Sequence, residues 1–202
     1  MISIYELKPK FQNLLRPIIR FLNKAHITAN QITLSAFFLS AAVGLLVYLF
    51  APVCRWTFLL LPVYLFIRMA LNALDGMMAR ECNQKTRLGA IYNEMGDMLS
   101  DIVLYIPFFY VRGVNVWLIL LFTVLTLLTE TCGIMGVQIN ASRRYDGPMG
   151  KSDRAFWVGF LALLSVWSIP CPHITQYITG LLCFLLAFTC WNRLKNALKE
   201  SK

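Results

Sequence analysis

The chain has 202 residues, of which 58% are hydrophobic and 14% are charged, and its formal net charge is +9. Soluble domains carry more charge and fewer apolar residues, so the composition excludes an ordinary soluble enzyme and is typical of a protein dissolved in lipid. The positive charge does not require a nucleic acid partner, because anionic lipid headgroups and a phosphorylated substrate account for it.

The N-terminal arm, residues 1–26, is amphipathic. Between residues 9 and 24, apolar side chains recur every three or four positions, and basic side chains lie mostly elsewhere around the helix. The apolar positions are Phe11, Leu14, Leu15, Ile18 and Leu22. This pattern predicts a helix that lies in the membrane interface. Thr28 and Asn30 follow as caps for the next helix.

Six apolar stretches come next, each long enough to cross ~30 Å of hydrocarbon, although the fifth is marginal. They cover residues 31–50, 57–79, 89–111, 116–139, 153–169 and 174–192. We therefore predict an all-α membrane protein with six transmembrane helices. The chain is expected to be a single domain over residues 1–202, with the six-helix bundle at residues 27–198.

The basic residues predict the orientation, because Lys and Arg are retained on the cytoplasmic side of a membrane. Of the 19 Lys and Arg residues, most lie in the N-terminal arm, in the loops after the second and fourth spans, and in the C-terminal tail. The opposite loops hold only Arg55 and Arg112. Both termini are therefore expected in the cytoplasm.

Charged residues inside the second and third spans mark the functional region. Ionisable groups in a membrane are costly, and they are retained where they line a cavity, pair with one another or hold ions. The second span carries on one helix face Arg68, Asn72, Asp75 and Ala79. The third span carries on one face Gly89, Asn93, Asp97 and Asp101. Since the two spans are consecutive and antiparallel, we expect Asp75 and Asp97 to face each other near the cytoplasmic surface.

Asp75, Asp97 and the amide oxygens of Asn72 and Asn93 are the predicted metal ligands. An all-oxygen site suits Mg²⁺ or Mn²⁺ and does not suit zinc.

A structural network of salt bridges is the alternative explanation for these charges. It fits Arg68, Asp101 and Glu130, which lie at a similar depth in their spans. The sequence offers Asp75 and Asp97 no basic partner at their own depth, and this favours a metal site for them, because an unpaired buried carboxylate is costly.

The spacing of six of these residues resembles the signature of the CDP-alcohol phosphotransferases, integral membrane enzymes of phospholipid synthesis. The six are Asp75, Gly76, Ala79, Arg80, Gly89 and Asp97. The family pattern has aspartates at two further positions, where this chain has Asn72 and Asn93. Losing two carboxylates is expected to weaken metal binding in the absence of substrate.

The resemblance implies an enzyme of the bacterial inner membrane with a cytoplasmic active site, and the family also leads us to expect a homodimer. The implied reaction transfers a phosphatidyl group from a CDP-linked lipid, such as CDP-diacylglycerol, to an alcohol and releases CMP. Asp97 is implied to be the general base as well as a metal ligand. The residues implied to bind CDP are Thr33, Gly76, Ala79, Arg80 and Gly89.

The loop after the fourth span carries four cations, Arg143, Arg144, Lys151 and Arg154. They either determine topology only or bind a substrate phosphate, for which Lys and Arg are well suited. We predict the second role and therefore a phosphorylated polyol, such as glycerol 3-phosphate or an inositol phosphate, as the acceptor.

Two other functions stay open at this point. The chain can be a catalytically degenerate relative, given its two asparagines, or an ion-binding or transport protein, since charges inside spans also mark transport pathways. The absence of evident inverted halves, and a polar cluster near one surface rather than at the midplane, argue against transport.

Overall fold

The computed structural model describes residues 4–111, 113–166 and 172–201, and these ranges contain helices and no strands. Its α-helices are α1 Ile4–Lys24, α2 Ala29–Phe50, α3 Leu60–Glu81, α4 Arg87–Tyr105, α5 Val116–Gln138, α6 Lys151–Val166 and α7 Pro172–Glu200. Short 3-10 helices, Arg55–Leu59 and Ile106–Tyr110, precede α3 and follow α4. The all-α prediction is confirmed. Arg112 and the end of the predicted fifth span, residues 167–169, lie outside the described residues.

Local signals explain where the helices begin and end. Thr28 caps α2 in a reciprocal capping box, in which its hydroxyl accepts from the Gln31 amide at 3.3 Å and its own amide donates to the Gln31 side chain at 2.8 Å. Thr86 caps α4 by accepting from the Gly89 amide at 2.9 Å. The last helix continues to Glu200, eight residues past the predicted span, because Leu, Lys, Ala and Glu favour helix even where the sequence stops being apolar.

Within the part of the chain that the structure describes, four helical segments are long and apolar enough to cross a membrane. They are Ala29–Phe50, Arg55–Glu81, Val116–Gln138 and His173–Glu200. The remaining two predicted spans are shorter or more charged. Helix α4 contains Glu94, Asp97 and Asp101, and α6 has 16 residues. At ~1.5 Å per residue, α6 falls short of the ~30 Å hydrocarbon core. The six-span count therefore stays a prediction.

The bundle has two apolar clusters with charged residues between them. Helix α2 packs on α3 and α4, α5 packs on α7, and α3 packs on α6. One cluster includes Leu61 and Leu65 of α3, and the other includes Leu74 and Met77 of the same helix. Arg68 lies between these two pairs and is 4% exposed. The fold thus encloses a charged layer inside an apolar bundle.

A glycine sets the distance between α2 and α4, the helices that carry Thr33 and Asp97. A Cβ atom added to Gly44 would lie 2.5 Å from the backbone oxygen of Val103. This is closer than any side chain permits, and the atom in the way is backbone, so α2 and α4 approach this closely only with glycine at position 44.

We expect Gly44→Ala to lower the melting temperature of the detergent-solubilised protein. Overpacking costs about 1 to 3 kcal/mol, which exceeds the ~1 kcal/mol that alanine gains over glycine in a helix. Gly180→Ala is the matched control, because an added Cβ there meets nothing within 4 Å, and it should leave the melting temperature unchanged or raise it. Equal melting temperatures for the two variants would contradict this helix contact.

Candidate active site

Asp75, on α3, is a buried carboxylate that contacts α2. It is 4% exposed, and its Oδ2 accepts a hydrogen bond of 2.7 Å from the Thr33 hydroxyl. No ion-pair partner for Asp75 occurs in the part of the chain that the structure describes. A neutral hydroxyl compensates only part of the cost of burying a charge, so this site is suited to a cation.

Asp97, on α4, is held by three side chains from other helices. Asn72, one turn before Asp75 on α3, donates through Nδ2 to Asp97 Oδ1 at 2.9 Å. Arg68 contacts Oδ1 at 3.3 Å and donates to the Asp97 backbone oxygen at 2.9 Å. Lys151, the first residue of α6, forms an ion pair with Oδ2. The prediction that Asp97 has no basic partner at its own depth was wrong, because both Arg68 of α3 and Lys151 of α6 contact its carboxylate.

Further ion pairs extend from Asp97 through the bundle. Arg68 pairs with Asp101 at 2.6 Å, as the salt-bridge alternative predicted. Arg154 contacts Asp101 at 3.2 Å and Glu130 at 2.8 Å, so Glu130 pairs with Arg154 rather than with Arg68. Including the partners of Glu130, we define the ion-pair network as Arg68, Glu94, Asp97, Asp101, Glu130, Arg143, Lys151, Arg154 and Arg193.

The charges of this region balance without a ligand. The ion-pair network contains five cations and four carboxylates, and Asp75, adjacent to it through Asn72, is a fifth carboxylate. Aspartates at positions 72 and 93 would have made the region negative by two charges, which one divalent ion neutralises. The two asparagines therefore remove the net charge that would attract a metal ion to the empty site.

Three of the four predicted acceptor-binding cations lie together, and the fourth lies apart. Arg143, Lys151 and Arg154 belong to the ion-pair network, and Arg154 is only 1% exposed. Arg144 instead pairs with Asp146 at 2.7 Å and with Glu200. Its hydrogen bonds hold the pKa of Asp146 below its usual range. Arg144 thus fastens the loop to the end of α7.

Of the predicted CDP-binding residues, Thr33 lies on α2, Gly76, Ala79 and Arg80 lie on α3, and Gly89 lies on α4. The Arg80 guanidinium folds over Gly76, with its NH1 3.4 Å from where a Gly76 Cβ would be. Ala79 is partly buried one turn along the same face. Gly89 packs against the Asn30 side chain of α2, which an added Cβ would meet. The small residues therefore leave room for Arg80 and for close helix packing.

The donor set fits one divalent ion held mainly by carboxylates. Buried Asp75 lacks a countercharge among the described residues, and Asp97 accepts from Asn72, one turn before Asp75 on α3. No group of three His, Cys, Asp or Glu side chains suited to a metal occurs in the described ranges. Asn72 donates its NH₂ group to Asp97, so its amide oxygen can bind a metal ion only on the side away from Asp97. Asn93 is partly buried. The ligand set is therefore incomplete until substrate oxygens complete it.

Arg193 is a member of the ion-pair network that sequence reasoning missed. It was counted as part of a basic tail, yet it is 2% exposed, lies 3.7 Å from Glu130 and donates to the backbone oxygen of Thr129. Its helical neighbours Thr189 and Ala197, at spacings of four, are also buried. That period was the available signal, because it places Arg193 on the inner face of α7.

The sequence model of the CDP-alcohol phosphatidyltransferase family matches residues 26–196. The chain belongs to this family. As a CDP-alcohol phosphatidyltransferase, it is a transferase of substituted phosphate groups. It is 49% identical over 200 residues to inner membrane protein YnbA of Escherichia coli K12, an alignment that covers 98% of both chains. With the four candidate spans, this likeness supports an integral membrane protein.

The fold of this CDP-alcohol phosphatidyltransferase is similar to that of the Mycobacterium tuberculosis phosphatidylinositol phosphate synthase PgsA1. The PgsA1 structure with CDP-DAG bound has a TM-score of 0.73 and 20% identity, over 90% of this chain and 92% of that one. The PgsA1 complex with manganese and citrate has a TM-score of 0.73 and 21% identity, over 90% and 88%. Its manganese is in keeping with the divalent metals that the family uses.

We expect Arg68→Ala to lower the melting temperature strongly. Removing Arg68 leaves Asp101 with only its longer contact to Arg154 and removes one of the two cations at Asp97, and breaking such a buried pair costs about 3 to 5 kcal/mol. Arg16→Ala is the control, because the 3.7 Å bridge from Arg16 to Glu81 is exposed and worth at most ~1 kcal/mol. A stable Arg68→Ala protein with weakened Mn²⁺ binding would instead make Arg68 part of the metal site.

The double variant Asn72→Asp plus Asn93→Asp should bind Mn²⁺ more tightly in the absence of nucleotide. Two additional carboxylates attract a 2+ ion even in a site open to water, and we expect a gain of about tenfold or more. Calorimetric titration of Mn²⁺ measures the effect. The control, Asn13→Asp plus Asn83→Asp, adds the same charge at exposed positions. Equal affinities in both double variants would mean that positions 72 and 93 do not face the ion.

Proposed function

We propose that this CDP-alcohol phosphatidyltransferase transfers the phosphatidyl group of CDP-diacylglycerol to the hydroxyl of an alcohol and releases CMP. The observation that carries the proposal is the pair of buried carboxylates, Asp75 and Asp97. Asn72, one turn before Asp75 on α3, donates to Asp97, and the exposed Arg80 folds over Gly76, next to Asp75. The CDP-DAG bound to PgsA1 supports the choice of donor.

In this proposal α2 to α7 all cross the inner membrane, with both termini and the active site in the cytoplasm. The charges of α4 and α6 favour crossing helices because they point inward, as the burial of Asp101 and Arg154 illustrates. Helix α1 lies in the interface, with Leu14 and Phe21, 72% and 70% exposed, in contact with lipid. The homodimer and the single-domain assignment remain predictions.

The donor binds along the cytoplasmic end of α3. Arg80 contacts a phosphate of the CDP group, since this side chain is exposed and its guanidinium already lies over Gly76 on α3. Gly76 and Ala79, which lack long side chains, allow the nucleotide to lie against the helix, and Gly89 and Thr33 border the same region.

In the reaction, the acceptor oxygen forms a bond to the phosphorus attached to diacylglycerol, and the bond from that phosphorus to the CMP oxygen breaks. Asp97 accepts the proton of the attacking hydroxyl. Lys151 and Arg68 contact the two oxygens of the Asp97 carboxylate and orient it for this role. Asp75, Asp97 and the amide oxygens of Asn72 and Asn93 would hold a Mg²⁺ or Mn²⁺ ion, which would neutralise charge on the pyrophosphate.

The phosphorylated polyol expected from the sequence is not part of this proposal. That expectation required free cations in the loop before α6 and at its start. In the structure Arg143, Lys151 and Arg154 each pair with at least one carboxylate of the bundle.

Asp75→Asn and Asp97→Asn should each abolish CMP release by the purified protein. Each removes a charged metal ligand, and the second also removes the base. Glu81→Gln, at the exposed end of α3, is the matched control and should retain activity. If either aspartate variant keeps more than about a tenth of the activity, a barrier change of only ~1.4 kcal/mol, the assignment fails.

The same assay separates the remaining alternatives. A degenerate relative would release no CMP with any acceptor even as the unaltered protein. A transporter would likewise release none, and it would move ions across the membrane of reconstituted vesicles.

A further inference from the structure

Glu130 is surrounded by the arginines that an anionic acceptor would need. Its Oε1 accepts from Arg154 at 2.8 Å and lies 3.7 Å from Arg193, and its Oε2 accepts from Arg143 at 3.1 Å. Glu130 lies on α5 and is 4% exposed. Two oxygens held by three guanidinium groups is the arrangement in which arginines bind a phosphate, and here the carboxylate belongs to the protein.

A phosphate entering this cluster would have to displace Glu130 or lie next to it. Displacement would strand a buried carboxylate, which is strongly unfavourable. Lying next to it would bring a dianion beside Glu130 and also beside Glu94, which pairs with Arg143. Because the cationic and carboxylate side chains of the region are equal in number, these side chains have no net positive charge to compensate the added dianion.

The groups that face the opening of the cluster suit hydroxyls. The side chains of Glu94, Arg143 and Lys151 are 25%, 23% and 33% exposed, whereas those of Arg154 and Glu130 lie deeper. A hydroxyl both donates and accepts, so it can donate to a Glu94 oxygen and accept from an N–H of Arg143 or Lys151 at once.

We propose that the acceptor is an uncharged polyol, and that Glu130 fills with its carboxylate the position that the phosphate of a phosphorylated acceptor would take. This inference rests on the proposed function, because it names the substrate class of the same site. It replaces the phosphorylated polyol predicted from the sequence, which followed from four cations whose partners the sequence did not reveal.

The first test compares acceptors in matched pairs with the unaltered protein, CDP-diacylglycerol and Mg²⁺. The pairs are inositol against inositol 1-phosphate and glycerol against glycerol 3-phosphate, and CMP release is measured. We expect the uncharged member of the better pair to have a kcat/KM at least tenfold higher. A phosphorylated acceptor that matches or exceeds its uncharged partner would overturn the inference while supporting phosphatidyl transfer.

The second test removes the charge of Glu130 and keeps its shape. Glu130→Gln should bind glycerol 3-phosphate at least tenfold more tightly than the unaltered protein in a calorimetric titration, because the arginines lose their competing carboxylate. Glu200→Gln is the control, since Glu200 pairs with Arg144 outside the cluster, and it should leave this affinity unchanged. Equal affinities in Glu130→Gln and the unaltered protein would overturn the inference.

The two tests distinguish an error in the acceptor class from an error in the proposed function. Calorimetry needs no turnover, so it decides the role of Glu130 even if no acceptor yields CMP, a result that would overturn phosphatidyl transfer itself. The acceptor comparison needs no variant, so it decides the acceptor class even if Glu130→Gln does not fold.

Discussion

Arg154 forms the contact that joins most of this bundle. From the first turn of α6 it pairs with Asp101 of α4 and with Glu130 of α5, and Asp101 in turn pairs with Arg68 of α3. None of these groups tolerates burial without its partner, because an unpaired charge in an apolar interior costs several kcal/mol. The four helices can therefore pack in only one register, the one in which all of these pairs form.

This helix register also positions the proposed catalytic residues. On α3, Arg68 is one turn from Asn72 and two turns from Asp75. On α4, Asp101 is one turn from Asp97. Pairing Arg68 with Asp101 therefore brings together the faces of α3 and α4 that carry these residues. Lys151 precedes Arg154 by one turn on α6 and reaches Asp97 in consequence. The structural ion pairs and the proposed catalytic residues are thus consecutive turns of the same helices.

Patterns within single helices could be predicted from the sequence, and contacts between distant helices could not. Periodicity placed Asp75 and Asp97 on facing sides of two consecutive spans and paired Arg68 with Asp101. It did not reveal that Lys151, 54 residues from Asp97, reaches its carboxylate, because helix period does not determine how α6 packs on α3. The arginines of the loop were taken as free for the same reason. Hydropathy ended the last helix too early, since it measures apolar character and not helix propensity.

In the proposed reaction a phosphatidyl group, rather than a nucleotide or a bare phosphate, passes to the acceptor. The most direct measurement uses CDP-diacylglycerol labelled with ³²P in the phosphate attached to diacylglycerol, together with the purified protein, Mg²⁺ and an accepted alcohol. Phosphatidyl transfer predicts that the label stays in a new lipid and that the released CMP is unlabelled. Label released in CDP, with free diacylglycerol left behind, would place the broken bond on the other side of that phosphate and contradict phosphatidyl transfer.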